Sequence, residues 1–188
     1  MTVLILTTIF PTKAALLTPT GVAYVSSNTL PGLNTRNTLR NMVKFHTRQV
    51  SGATGWISKA CSFFAFLEAA FKVFNDAYAR SMAAELLQIA NPGDFYLAHE
   101  YLEATNDPCY FHDFIDYADR HGLQFLGEAE IRTMSAADFP APVRADLREM
   151  ASSIVELEQY GDFVRNRAFR PLLRRCDRKK DLGDFGTG

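Results

Sequence analysis

The spacing of hydrophobic residues along the chain changes from strand-like runs to a helical period. Two runs near the N-terminus predict buried β-strands: TVLILTTIF at residues 2–10 and GVAYV at residues 21–25. The second run turns polar over residues 26–28 and breaks at Pro31-Gly32. A buried strand that ends in a small polar loop is how open α/β enzymes present a ligand site. The pattern therefore raises the question of where the rest of this sheet lies.

A helical period begins after Gly32. Apolar residues at i, i+3, i+4 and i+7 predict a first helix near residues 34–50, with Asn34 available as its N-cap. A long helical region follows, and an apolar stripe runs through residues 60–90. Its first half is hydrophobic over most of the circumference, which is typical of a helix that is buried on several sides or meets a second domain. We expect Asn91-Pro92-Gly93 to stop this region.

Shorter helices are predicted in the second half of the chain. Asp94 can cap one of them, and Asp107-Pro108 is a start signal for another that ends at His121-Gly122. Residues 123–126 fit either a short strand or an apolar linker, and a last helix is predicted over residues 140–157. The overall prediction is a mainly α chain with one or two strands at its N-terminal end.

Composition narrows the class of protein. The 188 residues are 47% hydrophobic and 22% charged, enough to bury a core, and the net charge of −1 gives no global attraction to nucleic acid or membranes. The three cysteines lie far apart and form no C-x-x-C pair, which suits a reducing cytoplasm. The first apolar run lacks a preceding basic residue and is much shorter than the roughly 20 residues that span a bilayer. We expect a cytoplasmic protein with no membrane partner.

Histidine and cysteine chemistry is weakly indicated. His99-Glu100 begins an H-E-x-x-H pattern, but Glu103 stands where the second histidine is required. We therefore expect no metal site and a structural or interface role for His99. Cys109 lies in the first turn of a predicted helix, three residues before His112, so a small cysteine hydrolase is a third and least favoured hypothesis.

The sequence lacks the patterns that are typical of phosphate- and nucleoside-binding sites. No glycine-rich turn joins a strand to a helix, and no acidic residue ends a second strand about 20 residues later, where a ribose would be held. We therefore assign no catalytic residue and no cofactor to this chain, and expect it to be inactive by itself.

Residues 165–180 form a basic segment with eight cationic residues and a single acid, Asp177. Such a segment could grip phosphates, or it could be a mobile surface end. Because no aromatic residue follows Phe169 within it, binding to single-stranded nucleic acid is disfavoured. We favour the mobile surface end.

Four stretches together resemble a known family: GVAYVSSNTLPG (21–32), FYLAHEYLE (95–103), NDPCYFHDFIDYADRHGLQFLGEAE (106–130) and DFVRNRAFR (162–170). From about residue 20 to about residue 173, the chain is similar to bacterial methyltransferase regulatory domain proteins. In that family a class I S-adenosylmethionine (SAM) dependent methyltransferase core is followed by a helical regulatory domain. The chain departs from the family pattern at Ser27, where a tyrosine is expected, and at Leu33, where a tryptophan is expected. The family's cysteine-histidine ending is also replaced, by FRPLLRRCDRKK.

The resemblance implies a truncated member that lacks the SAM-binding half. Residues 1–33 would be a remnant of an incomplete Rossmann-like core, 34–173 the helical regulatory domain, and 174–188 a basic, flexible tail. SAM would belong only to an intact homologue, and the partner of this chain would be a methyltransferase core or a protein substrate.

The resemblance also implies two sets of candidate site residues. The first set would line the edge of the active site as a loop: Ser26, Ser27, Asn28 and Thr29. The second would make polar contacts at the domain junction: His99, Glu100 and Tyr101.

Two main hypotheses for function follow. The first is a regulatory or substrate-recognition domain of a SAM-dependent methyltransferase that acts on proteins. The alternative is a free-standing interaction module whose basic C-terminal tail binds an acidic partner or nucleic acid, although we expect nucleic acid to be the weaker candidate.

Overall fold

The computed structural model describes residues 17–18, 21–89, 107–130, 132, 134 and 136–176. Within these ranges the chain is mainly α-helical with a few strands, as predicted from the sequence. The elements in chain order are β1 (Val22–Asn28), α1 (Asn34–Thr47), α2 (Ala53–Phe74), α3 (Ala77–Ile89), α4 (Phe111–Arg120), β2 (Leu123–Glu128), α5 (Ala141–Met150), α6 (Ile154–Arg165) and β3 (Phe169–Cys176). The strand predicted at residues 2–10 and the helix predicted after Asp94 lie outside the described residues.

Internal contacts divide the chain into two compact units. One combines Met1–Leu33 with Asp107–Gly188, and the other is Asn34–Asn106. We call the first the sheet unit, because it contains all three described strands, and the second the helical unit. The domain boundaries expected from the sequence, at residues 33 and 173, stay a prediction.

The helical unit is built from α1, α2 and α3. Their inward residues form one hydrophobic core: Leu39, Val43, Trp56, Ala60, Leu67, Phe71, Ala79, Met82 and Leu86. The long helical region predicted over residues 60–90 is interrupted. Asn75 adopts the left-handed conformation (φ 45°) that ends α2, and the carboxylate of Asp76 accepts the backbone N–H of Ala79 to start α3.

The sheet unit contains a three-stranded sheet in the order β1-β3-β2. Both outer strands run antiparallel to β3, so β1 and β2 are parallel to each other and their carboxyl ends lie at the same edge. The sequence analysis placed the rest of the sheet of β1 outside the chain. That expectation is corrected here, because Val22–Asn28 pairs with Phe169–Cys176 over its whole length.

One face of this sheet is covered by α4. Phe111, Phe114, Ile115 and Ala118 of that helix pack on Ala23 and Val25 of β1, Leu123 of β2 and Leu172 of β3. Their spacing in α4 is that of one helical face, which explains why these apolar residues form this element. The start of α4 differs from the Asp107-Pro108 signal because Cys109 pairs with the end of β1 and Tyr110 is the N-cap of the helix.

Two further corrections concern the C-terminal half. The single helix predicted over residues 140–157 is two helices, because α5 ends at Met150 and Ser153 caps α6 by accepting the backbone N–H of Glu156 at 3.2 Å. Residues 123–126, left open as strand or linker, belong to strand β2. No strand was predicted over residues 169–176, where the structure has the central strand β3.

Gly32, which follows β1, lies against the backbone of the residues that precede β3. Its N–H donates to the carbonyl of Arg167 at 2.9 Å. A Cβ at this position would lie 2.3 Å from the carbonyl carbon of Arg167 and 2.4 Å from the nitrogen of Ala168. Only glycine fits, since the obstructing atoms are backbone and have no rotamer to change.

We expect Gly32→Ala to lower the free energy of unfolding by more than about 2 kcal/mol, because the added methyl group separates two paired backbone segments. Gly55→Ala is the matched control. Its Cβ would meet only the side chain of Val50, at 3.2 Å, and alanine favours the helix in which it lies. Urea unfolding of both variants measures the difference. Equal stability of the two variants would show that residues 32 and 167–168 are far enough apart to accommodate a methyl group.

Candidate functional site at the carboxyl edge of the sheet

Three backbone segments meet where β1 ends. The Thr29 hydroxyl donates to the carbonyl of Cys109 at 2.9 Å, and the N–H of Leu30 donates to the same carbonyl at 3.1 Å. The N–H of Thr29 donates to the carbonyl of Ala168 at 2.9 Å. β1 and β2 both end at this edge, and in open α/β sheets of parallel strands ligands bind where the carboxyl ends meet.

The predicted loop of site residues is part of a strand. Ser26, Ser27 and Asn28 belong to β1 and pair with Pro171, Arg170 and Phe169. Ser26 is exposed, and Ser27 and Asn28 are half-buried. Thr29 is buried, and its hydroxyl donates to the carbonyl of Cys109. Their role at a site edge stays a prediction. His99, Glu100 and Tyr101 lie outside the described residues.

A buried ionic cluster lies behind this edge, and it is centred on Arg170 of β3. Asp162 of α6 binds the guanidinium at both ends, with Nε–Oδ2 and Nη2–Oδ1 distances of 2.8 and 2.7 Å. Glu158, one helical turn earlier, contacts Nη1 and Nη2 at 3.1 Å and also accepts through its backbone carbonyl at 3.0 Å. Glu128, at the carboxyl end of β2, accepts from Arg170 and from Arg167.

The cluster is desolvated and carries more negative than positive charge. Glu128, Glu158 and Asp162 face two guanidinium groups, and Arg170 also stacks on the ring of Phe111, with its Cζ 4.0 Å from the centroid. Such a cluster is costly to assemble but very costly to leave incomplete, because a lone buried charge has no compensation. The sequence analysis missed it, although acids four residues apart on α6 were a visible signal.

Burial dominates the titration of Asp162. It raises the pKa of this carboxyl above its usual value, although the hydrogen bonds and charge of Arg170 act in the opposite direction. The protonated form is therefore favoured by folding, so this contribution to stability is full below the usual pKa and is lost as pH rises through the raised value. For Arg170, burial by itself lowers the pKa, but its bonds to Asp162 and the charges of Glu128 and Glu158 outweigh burial and raise it.

Arg174 is a second buried guanidinium in β3. Its Cζ lies 5.2 Å from the ring centroid of Phe114 and 5.5 Å from that of Phe125, and Nη1 donates to the carbonyl of Leu123 at 3.2 Å. Burial lowers its pKa to about 10, although the carboxylate of Asp119 at 3.9 Å partly opposes this.

The structure corrects our interpretation of the basic segment. Arg170 and Arg174 are buried in a strand, so they are neither a mobile surface end nor available to phosphates. Arg165 pairs with Asp138, and Arg167 pairs with Glu128. Arg178, Lys179 and Lys180 lie outside the described residues. The cationic count of the sequence therefore overstates the charge available to a partner.

The hydrolase hypothesis is also corrected. Cys109 is 7% exposed, and burial, aided by the negative charge of Asp113, raises the pKa of its thiol to about 11. At neutral pH only about one thiol in ten thousand would be ionised. His112 directs Nδ1 to Gln159 at 3.0 Å and Nε2 to Asp113 at 3.2 Å, so both ring nitrogens are engaged elsewhere.

The described residues contain neither a metal-binding group of side chains nor a membrane-spanning helix. No group of three or more His, Cys, Asp or Glu residues there could hold a metal ion. No helix in those ranges is both long enough and apolar enough to cross a membrane.

Comparison with known proteins identifies the family of the C-terminal part. Residues 93–174 match the family model described as "Predicted methyltransferase regulatory domain". Two proteins of Rickettsia prowazekii, both named as uncharacterized, are similar. RP789 is 35% identical over 84% of this chain and 28% of its own length, and RP028 is 33% identical over 59% of this chain and 44% of its own.

Solved structures agree with this assignment. PKMT2 from Rickettsia typhi is 34% identical, with a TM-score of 0.76, over 89% of this chain and 31% of its own. The same protein solved in complex with AdoHcy gives a TM-score of 0.77 and 32% coverage. The chain thus spans less than half the length of these relatives. The resemblance inferred from the sequence is confirmed: residues 93–174 match the model of a methyltransferase regulatory domain, and the similar solved structures are of a Rickettsia methyltransferase.

Removal of the central guanidinium tests the ionic cluster. We expect Arg170→Met to lower the free energy of unfolding by about 3–5 kcal/mol, because three carboxylates remain buried without their main partner. Arg175→Met is the control. That arginine is exposed on the same strand and its side chain donates to Gln124, at 2.8 Å, so a change within about 0.5 kcal/mol is expected. Urea unfolding at neutral pH measures both, and comparable losses would contradict a special role for Arg170.

Cys61 and Cys109 should differ in their rate of alkylation. With iodoacetamide near neutral pH, Cys61, which is exposed, should react fully while Cys109 stays unmodified, because its thiol is both covered and protonated. Peptide mass mapping before and after urea unfolding provides the measurement and its control, since unfolding should make Cys109 reactive. A Cys109 that is modified in the native protein as fast as Cys61 would revive the nucleophile hypothesis.

Proposed function

We propose that this chain is a non-catalytic regulatory module that associates with a SAM-dependent methyltransferase core. Residues 93–174 match the model of a methyltransferase regulatory domain, and the chain matches 89% of its own length to only 31% of PKMT2 from Rickettsia typhi. The donor SAM is held by the core and not by this chain. The observation that carries the proposal is a sheet with one face packed and the other half-exposed.

The half-exposed face is the side of the sheet opposite α4. We call it the open face and define it by Val22 and Tyr24 of β1 with Phe169 and Leu173 of β3. Val22 is 53% exposed and Phe169 is 51% exposed, whereas Ala23 and Val25 on the opposite side are buried. An antiparallel sheet can leave one polar face to solvent, but exposed apolar side chains on that face favour an interaction surface, so the open face is suited to packing against a partner.

Strand β1, which contributes to the open face, is an edge strand among the described strands. β1 lies at the end of the order β1-β3-β2, and its other side has no strand partner within those residues. Strand addition at such an edge supplies backbone hydrogen bonds, and the alternate side chains supply specificity. A methyltransferase core that contributes a strand next to β1 would cover the open face at the same time.

Regulation follows from the way in which the helical unit is connected. The chain leaves the sheet unit after Leu33 and returns at Asp107, and both connections adjoin the bonds between residues 29–30 and Cys109. Both therefore lie at the carboxyl edge, where a ligand site of the completed sheet is expected. We infer that this chain recognises a protein substrate at that edge and so regulates the methyltransferase core. Ser26 and Asn28 are the candidate contacts in the described residues, and His99, Glu100 and Tyr101 are the candidates beyond them.

A truncated PKMT2 provides the test. We expect the isolated chain to show no heat of SAM binding, and expect a stable one-to-one complex with Rickettsia typhi PKMT2 from which the 31% matched by this chain has been removed. Val22→Asp should abolish the complex, because it puts a charge into the buried interface. Val164→Asp is the control, since that residue is equally exposed on α6 and outside the open face.

Binding is measured by gel filtration and calorimetry, with intact PKMT2 as the positive control for the donor. Tight SAM binding to the isolated chain would overturn the non-catalytic assignment. A complex that forms equally well with Val22→Asp would overturn the open face as the docking surface.

A further inference from the structure

Arg170 and Arg174 lie four residues apart on β3, and their guanidinium groups have very different partners. Both side chains are completely buried. In Arg170 the Nε and Nη2 atoms donate to the two oxygens of Asp162, at 2.8 and 2.7 Å. In Arg174 the same two atoms are buried and have no hydrogen-bond partner within the described part of the chain. Two neighbouring N–H donors of Arg174 therefore lack an acceptor there.

The surroundings of Arg174 enclose its charge without neutralising it. The ring centroids of Phe114 and Phe125 lie 5.2 and 5.5 Å from its Cζ, and Nη1 donates to the neutral carbonyl of Leu123 at 3.2 Å. The carboxylate of Asp119 is 3.9 Å from Nη1, which is longer than a hydrogen bond. Burial lowers the pKa of Arg174 to about 10, so the group is still charged at neutral pH. A buried positive charge without a hydrogen-bonded counter-charge is unfavourable.

The bonds of Arg170 show what this edge of a guanidinium binds. Donors on Nε and Nη2 match the two oxygens of one carboxylate, and such paired bonds are stronger and more specific than single ones. For Arg170 the carboxylate comes from Asp162 of α6. Among the described residues no acid reaches the corresponding edge of Arg174. The same geometry is thus present twice on β3, and it is completed only once within these ranges.

Three kinds of acceptor can be compared for this edge. A water molecule can accept from either donor but leaves the charge of the guanidinium uncompensated. A phosphate monoester carries about −1.5 to −2 charges at neutral pH, which is more than one guanidinium balances, and Asp119 adds a negative charge nearby. A carboxylate carries one charge and two coplanar oxygens, so it matches both the charge and the donors of Arg174.

The guanidinium lies close to the surface at the end of α4. Asp119 belongs to the last turn of α4, and its side chain is 48% exposed although its Oδ1 is 3.9 Å from Nη1 of Arg174. Solvent therefore comes within one side chain of the group. Because Arg174 itself is completely buried, an incoming carboxylate has to displace a side chain that covers it, and this cost weakens binding. We expect millimolar affinity for a small acid.

We propose that Arg174 anchors a carboxylate-binding site under the end of α4, which takes a small organic acid or the side chain of an acidic residue. This goes beyond the regulatory function proposed above and does not depend on it. It also differs from the phosphate-binding segment considered in the sequence analysis, because a single buried guanidinium between aromatic rings selects a group with a single charge.

Thermal unfolding of the full chain at neutral pH tests the proposal. The probes are sodium acetate, the analogue of an aspartate side chain, and acetamide, its neutral isostere, each at about 50 mM and at an ionic strength kept equal with sodium chloride. We expect acetate to raise Tm by about 3 °C or more and acetamide to leave it unchanged. A blocked tripeptide with a central aspartate distinguishes the two sources. Stabilisation by the tripeptide as well indicates an acidic side chain, and stabilisation by acetate alone indicates a small acid.

Two substitutions of Arg174 should abolish the effect of acetate. Arg174→Met removes the charge, and Arg174→Lys keeps the charge without the paired donors. Arg175→Met is the matched control, because that arginine is exposed on the same strand and the effect of acetate should persist. In chloride alone, Arg174→Met should unfold at a Tm equal to or above that of the unaltered chain, since an apolar side chain replaces an uncompensated charge. Circular dichroism verifies that each variant folds.

The proposal is overturned if acetate and acetamide act equally on the unaltered chain, or if acetate stabilises Arg174→Met as much as the unaltered chain. A Tm of Arg174→Met that falls in chloride by about 5 °C or more would also overturn it, because the guanidinium would then have a partner in the folded chain. Asp119→Asn should keep or increase the effect of acetate, because a repelling charge next to Arg174 is removed. A loss of the effect in Asp119→Asn would place the acetate elsewhere and contradict the site.

Discussion

The sheet unit depends on the pairing of one buried guanidinium with three carboxylates. Arg170 is completely buried, and its partners come from the carboxyl end of β2 and from two successive turns of α6. Because each of these groups is desolvated, the sheet and α6 are constrained to an arrangement in which every carboxylate contacts a guanidinium group. The same strand is the only described neighbour of β1, so the cluster also determines where the open face and the carboxyl edge lie.

The folded domain extends beyond the matched family region. The matched family region covers residues 93–174, yet residues 169–174 of β3 within it pair with β1, which lies far upstream at residues 22–28. Ala23 and Val25 also belong to the same core as Phe111 and Leu172. The sheet unit therefore combines residues 107–174 of the matched region with a strand outside it. The helical unit, by contrast, has a separate core and interrupts the sheet unit in sequence.

Local patterns predicted much of the fold, and the failures have physical causes. The helices around Leu39 and Phe114 follow an apolar period, and the end at Gly122 follows from its positive φ of 68°. Strand β3 was missed because two of its three buried residues are arginines, Arg170 and Arg174, and buried cations hide the apolar alternation of a strand. Their burial depends on carboxylates and rings that are distant in sequence.

The same reasoning applies to the candidate site. Thr29 could be named from the strand that precedes it, but the bond of its hydroxyl to Cys109 depends on a contact across 80 residues. Cys109 and His112 looked like a reactive pair by spacing, and only the fold shows one buried and the other held by Gln159 and Asp113. The residues Ser26, Ser27 and Asn28 were assigned to a loop because small polar residues favour turns, whereas pairing with β3 keeps them extended.

Charge is where sequence and structure differ most, and it decides which surfaces can act. The cations of residues 165–174 look available in the sequence, but the fold neutralises or buries them. The cations of the helical unit are nearly balanced by its acids, since residues 34–106 contain seven Lys and Arg and six Asp and Glu. A partner that needs an apolar, strand-like surface should be sought at the sheet unit, where the open face lies.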